Sequence, residues 1–173
     1  MRHHARRSFL LAAGLALALN AAAGPAIAQS NDSCLGKDAC IGNTGEVAED
    51  ACNGRRACAV NYGNIASNAC NGVFACMNGS ADVASYACNG YDACLLNTAA
   101  VAANSCNGKS ACDQNRAGVA ENACNGEEAC QNNSGNIAQN ACNGRRACFG
   151  NKADIGPGEC NGAPVSGKGV CQP

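Results

Sequence analysis

Cysteine carries the first chemistry this sequence offers. Sixteen of the 173 residues are Cys. They run Cys34, Cys40, Cys52, Cys58, Cys70, Cys76, Cys88, Cys94, Cys106, Cys112, Cys124, Cys130, Cys142, Cys148 and Cys160 with gaps of 6 and 12 alternating, and Cys171 closes the series 11 residues later. Cysteines so arranged can pair as disulfides, hold a soft metal as thiolates, or act as nucleophiles. Cys-His catalysis needs an imidazole, and the only histidines are His3 and His4 near the N-terminus. Structural zinc favours C-x2-C to C-x4-C pairs, whereas the short spacing here is C-x5-C. Disulfides suit the spacing best, because each C-x5-C pair closes a small loop worth about 2 kcal/mol of chain entropy. The favoured pairing is therefore within each short gap, Cys34 with Cys40 through Cys160 with Cys171. Pairing across the long gap, Cys40 with Cys52, is less regular and leaves the last pair out of step.

The grid makes the chain repeat every 18 residues, the mark of an architecture whose units bury their apolar residues against one another. Numbered from the residue before the first Cys, units begin at Ser33, Ala51, Ala69, Ala87, Ser105, Ala123, Ala141 and Glu159. Position 4 is Gly in every unit, from Gly36 to Gly162, and position 3 is Asn except at Leu35. Position 15 is β-branched (Val47, Ile65, Val83, Val101, Val119, Ile137, Ile155), and position 11 is Asn except at Gly79. Asn-Gly adopts positive φ cheaply and predicts a tight turn in each unit. A β-branched residue predicts an inward-facing strand. Stacked asparagines predict amide ladders along two corners, one through Asn53, Asn71 and Asn89 and the other through Asn43, Asn61, Asn97 and Asn115.

The fold class this predicts is all-β, a small disulfide-braced β-solenoid of about eight 18-residue coils. Stacked short helices are the alternative, since 18 residues also make five helical turns. A Gly in every unit, costing about 1 kcal/mol relative to Ala, weighs against them.

The ends read differently. Residues 1–28 have the form of a secretory signal peptide: arginines without acids, an apolar run from Ser8 to Leu19, and Ala26-Ile27-Ala28 before the expected cleavage. Arg6-Arg7-Ser8-Phe9-Leu10 resembles a twin-arginine signal. Residues 29–158 then comprise a short lead-in and seven repeats, and 159–173 an irregular C-terminal cap rich in Gly and Pro. Past the leader there is no transmembrane segment. The predicted location is periplasmic or secreted, where disulfides persist. Without the leader's three arginines, nine basic and thirteen acidic side chains remain, a balance that does not suit nucleic acid. The same segment has no Trp, and its aromatics are Phe74, Phe149, Tyr62, Tyr86 and Tyr91. A core of large residues cannot be assembled from these, so cross-links and small stacked residues must replace it.

The unit Ala-Cys-Asn-Gly-x-x-Ala-Cys resembles cysteine-rich tandem repeats of secreted algal and bacterial proteins. The C-x5-C bridge pattern is similar to that of the disulfide-braced β-solenoid antifreeze proteins of beetles, which implies a bridge crossing the coil interior. Those proteins bind ice through ranks of threonine, whereas the threonines here are Thr44 and Thr98.

Positions 5 and 6 are the variable ones: Lys37-Asp38, Arg55-Arg56, Val73-Phe74, Tyr91-Asp92, Lys109-Ser110, Glu127-Glu128 and Arg145-Arg146. A constant frame displaying a changing stripe suits docking. The candidate binding stripe comprises Arg55, Arg56, Val73, Phe74, Tyr91, Asp92, Glu127, Glu128, Arg145 and Arg146. Its expected partner is a polysaccharide, an envelope component or an extracellular protein. Glu127 and Glu128 have no visible acid/base partner, and no catalytic residue, cofactor or metal site is expected. The reading is a non-enzymatic structural or binding repeat protein. Its alternatives are an ice- or mineral-surface binder and a thiol-rich metal binder.

Overall fold

The computed structural model describes residues 32–162. The predicted signal peptide, and the end of the predicted cap with Cys171, lie outside the described residues. Within them the chain winds into coils of 18 residues, numbered here 1 (33–50), 2 (51–68), 3 (69–86), 4 (87–104), 5 (105–122), 6 (123–140) and 7 (141–158), with coil 8 beginning at 159. Each coil bonds through its backbone to the coils before and after it. Cys52 N–H donates forward to the Ala69 carbonyl (3.0 Å) and Ala66 N–H to Val83 (2.9 Å), while Phe74 N–H donates back to Arg55 (3.0 Å) and Val83 N–H to Asn64 (2.9 Å).

These bonds do not make a sheet. Among the described residues there is no helix and no strand, only isolated parallel bridges joining Val47, Ile65, Val83, Val101, Val119, Ile137 and Ile155 in succession. The all-β solenoid expected from the repeat is thus overturned, and its helical alternative is not found either. The physical reason lies in the backbone. Position 2 has left-handed φ in all eight coils, from 57 to 61° at Cys34, Cys52, Cys70, Cys88, Cys106, Cys124, Cys142 and Cys160. Position 6 is left-handed from Asp38 to Arg146, and positions 10 and 18 are left-handed in every full coil. Each such residue reverses the local pleat and breaks the coil into short segments. The longest stretch free of them is positions 11 to 17, and the single bridge of each coil falls inside it. A left-handed non-glycine residue costs about 1–2 kcal/mol. The neighbouring coils hold these residues in place by bonding the peptide groups around them.

Position 4 also departs from expectation. The glycines from Gly36 to Gly144 do not have positive φ. Their role is close stacking: a Cβ on Gly90 would lie 2.2 Å from the Gly108 carbonyl oxygen and 2.7 Å from that of Asn107. Backbone rests on backbone at this corner, and only Gly lets it.

The core is a column of small residues. From coil 2 to coil 6 the residues at positions 1, 2, 7, 8 and 15 are at most 3% exposed. Where coil 5 has Ser105 instead of Ala, its hydroxyl donates to the Ala120 carbonyl (2.8 Å) and accepts from Ala123 N–H (3.2 Å). A polar group thereby fits an Ala column without being orphaned.

Candidate functional site

Three features follow the stack: a sulfur column and an interrupted amide ladder inside it, and a ridge of variable side chains outside. The sulfur column is built from left-handed Cys at position 2, which turns that side chain inward to meet position 8. Seven bridges result, Cys34–Cys40, Cys52–Cys58, Cys70–Cys76, Cys88–Cys94, Cys106–Cys112, Cys124–Cys130 and Cys142–Cys148, with Cα separations of 5.6 to 5.8 Å. That range is the natural span of a disulfide. The intra-repeat pairing is found and the Cys40–Cys52 alternative is not. Cys160 is also disulfide-bonded. Successive bridges come close together. The sulfurs of Cys106, Cys112 and Cys124 lie within 4.8 Å of one another, and so do those of Cys130, Cys142 and Cys148. As bridges these atoms carry no thiolate with which to hold a metal.

The amide ladder follows position 11. Asn61 Nδ2 donates to Asn43 Oδ1 (3.2 Å), Asn115 to Asn97 (3.0 Å), Asn133 to Asn115 (2.8 Å) and Asn151 to Asn133 (2.9 Å). Each rung also ties its own coil, as where Asn61 Nδ2 donates to the Gly63 carbonyl (2.6 Å). The ladder stops at Gly79, which leaves Asn61 Oδ1 buried without a partner. The asparagines of position 3 form the second expected column with different partners. Asn53 N–H donates to Asn71 Oδ1 (2.9 Å), and Asn71 Nδ2 donates to the Asp50 carbonyl (2.8 Å). They bond side chain to backbone rather than amide to amide.

The ridge holds the candidate stripe together. Position 6 N–H donates to the position 5 carbonyl of the coil before, as Arg56 to Lys37, Asp92 to Val73, Ser110 to Tyr91, Glu128 to Lys109 and Arg146 to Glu127. This sets the pairs above one another in one continuous ridge. At its N-terminal half the Arg55 guanidinium stands 4.9 Å from the Phe74 ring centre, and Tyr91 meets Phe74 edge-on at 6.0 Å. At its C-terminal half Arg145 pairs with Glu127 (3.4 Å) and Arg146 with Glu128 (3.1 Å). Arg146 also covers the Phe149 ring (4.7 Å). Arg56 pairs with Asp38 (3.7 Å). Much of the stripe's charge is therefore answered within the stripe.

Beside the ridge lies a carboxylate that sequence reasoning missed. Asp113, at position 9 of coil 5, is 8% exposed, and its Oδ2 accepts from Gln131 Nε2 (2.8 Å) while its Oδ1 has no partner. Burial pushes its carboxyl above the usual range, against the opposing pull of the Gln131 and Gln114 amides. Asp92 is raised as well, first by burial and then by the Asp113 charge, with Lys109 opposing. The only signal in the sequence was an acid replacing apolar residues such as Leu95 at the same position. A shallow groove of 1280 Å³ follows positions 14 to 17 between Glu46 and Ile137, its middle lined by Ala100, Ala102 and Gly118. No helix among the described residues is long and apolar enough to cross a membrane. Seven bridges fit an oxidising, extracellular setting.

No curated protein and no solved structure matches the chain. A family described as a domain of unknown function (DUF7640) matches it twice in tandem, over residues 16–89 and again over 80–172. Together the two matches take in all seven full coils, and the chain belongs to this family.

Proposed function

We propose that this protein is an exported, non-enzymatic binding element of the cell envelope or extracellular space, and that its ridge docks a polysaccharide. The observation that carries this reading is the Arg55–Phe74–Tyr91 cluster on an otherwise repeating frame. Tyr91 is 48% exposed and rests edge-on against Phe74, whose ring Arg55 covers. A fixed aromatic ring beside a guanidinium presents a flat apolar face for a sugar ring and donors for its hydroxyls. The frame resists deformation through its bridges, so little ordering entropy opposes binding. The bridged cysteines leave the metal-binder alternative without ligands. The two threonines, three coils apart, give the ice-binder alternative no rank.

The test is co-sedimentation of the protein, expressed with its leader and purified after export, with insoluble envelope polysaccharides. The double variant Phe74→Ala/Tyr91→Ala is expected to lose at least tenfold in affinity, about 1.4 kcal/mol, while its bridges stay formed. Equal binding by the variant, or no binding to any polysaccharide by the parent, rejects the reading.

A further inference from the structure

Bridges in most proteins are isolated, but here they are stacked close enough to react with each other. We infer that the sulfur column of coils 5 to 7 is a disulfide relay, which accepts two electrons from an external dithiol and passes them from coil to coil. The inference is independent of the ridge and its ligand.

One step of thiol–disulfide exchange between two pairs needs three sulfurs at hand: an attacking thiolate, the sulfur it attacks, and a second thiol to resolve the mixed bond. Each of the two clusters supplies that set. In the first, Cys142 and Cys148 stand within 4.8 Å of each other and of Cys130. When a dithiol has reduced Cys142–Cys148, the Cys142 thiolate attacks Cys130 Sγ. The Cys130–Cys142 bond forms, the Cys124–Cys130 bond breaks, and Cys124 leaves as a thiolate that takes up the proton Cys142 gave up. Cys148 then attacks Cys142, restoring Cys142–Cys148 and releasing Cys130 as a thiol. Coil 7 is oxidised again and coil 6 holds the two electrons. The second cluster passes them on. Cys124 lies within 4.8 Å of both Cys106 and Cys112, so its thiolate can open that bridge, and Cys130 resolves the mixed bond by attacking Cys124.

Burial gives the relay its point of entry. Of the six cysteines of coils 5 to 7, five are fully buried and Cys148 is 3% exposed. A dithiol in solution therefore enters at the Cys142–Cys148 bridge, and the inner bridges react through their neighbours. The apolar surroundings of Ala111, Ala123, Ala129 and Ala141 disfavour thiolates, so the inner steps are slow at neutral pH. They are expected to accelerate up to about tenfold per pH unit as the thiols ionise. The N-terminal coils differ: among the described residues, no three sulfurs of coils 1 to 4 all lie within 4.8 Å of one another.

Two experiments on the full exported protein decide the matter. In the first, Cys148→Ser leaves Cys142 unpaired beside Cys130 with no resolving thiol. Peptide mapping of the acid-quenched protein is expected to find Cys130 joined to Cys142 in most molecules, with the alkylated thiol on Cys124 or, one step further along, on Cys106 or Cys112. Cys76→Ser, which leaves Cys70 unpaired in coil 3, is expected to keep Cys70 as the alkylated thiol and Cys88–Cys94 intact. Recovery of Cys124–Cys130 intact with Cys142 alkylated in Cys148→Ser overturns the relay. In the second, the unaltered protein is treated with limiting dithiothreitol, quenched and labelled over time, so the answer does not hang on a variant's folding. Label is expected to spread over the six cysteines of coils 5 to 7, with cross-coil peptides as intermediates, at a rate independent of protein concentration. Label confined to one pair, no label at all, or a rate that scales with protein concentration overturns the inference.

Discussion

The interior amide ladder comes in two lengths, and the difference shows how this stack is held. In coils 1 and 2 it is a single rung, Asn43 to Asn61, whose last oxygen is orphaned at Gly79. In coils 4 to 7 it runs without a break through Asn97, Asn115, Asn133 and Asn151. Backbone bonding across the gap continues unchanged: Tyr62 N–H reaches the Gly79 carbonyl (2.9 Å) as Thr44 N–H reaches that of Asn61 (2.9 Å). Winding thus depends on the backbone, and the amides add cohesion where they are consecutive. Neighbouring hydrogen bonds polarise one another, so a run of four is expected to hold better per rung than an isolated pair. A buried oxygen left without a donor costs about 1–3 kcal/mol, and coil 2 carries that cost at Asn61.

The contrast disappears if the coils are forced apart, and Gly90→Ala does so most directly. The added Cβ would sit 2.2 Å from the Gly108 oxygen and 2.6 Å from its carbon, both backbone atoms with nowhere to go. A loss at or beyond about 3 kcal/mol is expected, the upper end for overpacking, with early melting and proteolysis between coils 4 and 5. Gly118→Ala is the control, because its nearest neighbour is Asn136 Oδ1 at 3.6 Å. If the two variants melt together, close stacking is not what position 4 supplies.

Cutting the long run at its middle comes next. Asn115→Ala removes the donor to Asn97 Oδ1 and the acceptor of Asn133 Nδ2, along with the bond to the Ala117 carbonyl (2.6 Å). About 2–3 kcal/mol is expected to be lost by denaturant titration. Asn43→Ala, at the free end of the short run, deletes one rung and should cost about half as much. Equal losses would mean the rungs act singly.

Joining the runs should gain what cutting loses. Gly79 has the backbone of its ladder counterparts, and Gly79→Asn would offer Nδ2 to the orphaned Asn61 Oδ1 and Oδ1 to Asn97 Nδ2. A Cβ there meets Asn61 Oδ1 at 2.8 Å and the Cys76 carbonyl oxygen at 3.1 Å; Asn61 is anchored through Nδ2 to Asn43 and Gly63, so its unpartnered oxygen must turn aside by a few tenths of an ångström to admit the new side chain. A gain of about 1–2 kcal/mol is expected in thermal or denaturant melting. A destabilised variant would show that the space at Gly79 is needed for something other than the ladder.

How much of this was legible follows from what each signal reports. The pairing of Cys52 with Cys58 was readable because a disulfide's reach is fixed by geometry, and C-x5-C lies within it. The buried column of Val47, Ile65 and Val83 was readable from side-chain type, and the ladder and its break at Gly79 from the repeat itself. The backbone was not readable. Left-handed φ at Cys52, Arg56 and Val60 falls on residue types that disfavour it, because tertiary bonding overrides local preference, and with it went the expected strands. Gly54 and Gly90 serve close stacking rather than positive φ, and a sequence cannot distinguish a glycine needed for one from a glycine needed for the other. The stripe at positions 5 and 6 was found as a ridge, but its internal ion pairs, Arg145 with Glu127 among them, depend on stacking that spacing alone does not orient.

The smallest effect concerns acid, and it sharpens the contrast between the two regions. Asp113 lies in coil 5, within the long run, and burial holds its carboxyl above the ordinary value; Asp92 is raised in the same way. A carboxyl with a raised folded-state pKa binds protons more tightly in the folded chain than in the unfolded one. Between the two values the folded state therefore holds more protons, and stability falls as pH rises through that window. Above the folded value the cost of the buried charge is fully present, and below the unfolded value it is gone. Coils 4 to 6 should thus gain protection on acidification from neutral toward the ordinary carboxylate range, with coils 1 and 2, whose acids are all exposed, as the comparison. Asp113→Asn keeps an oxygen for Gln131 and removes the charge. It is expected to reduce the acid-side gain in those coils, leaving the part due to Asp92. Hydrogen exchange followed coil by coil across that range, corrected for intrinsic rates, measures both. If Asp113→Asn keeps the full pH slope, the cost resides elsewhere than in this carboxylate, and the two regions differ only by their ladders.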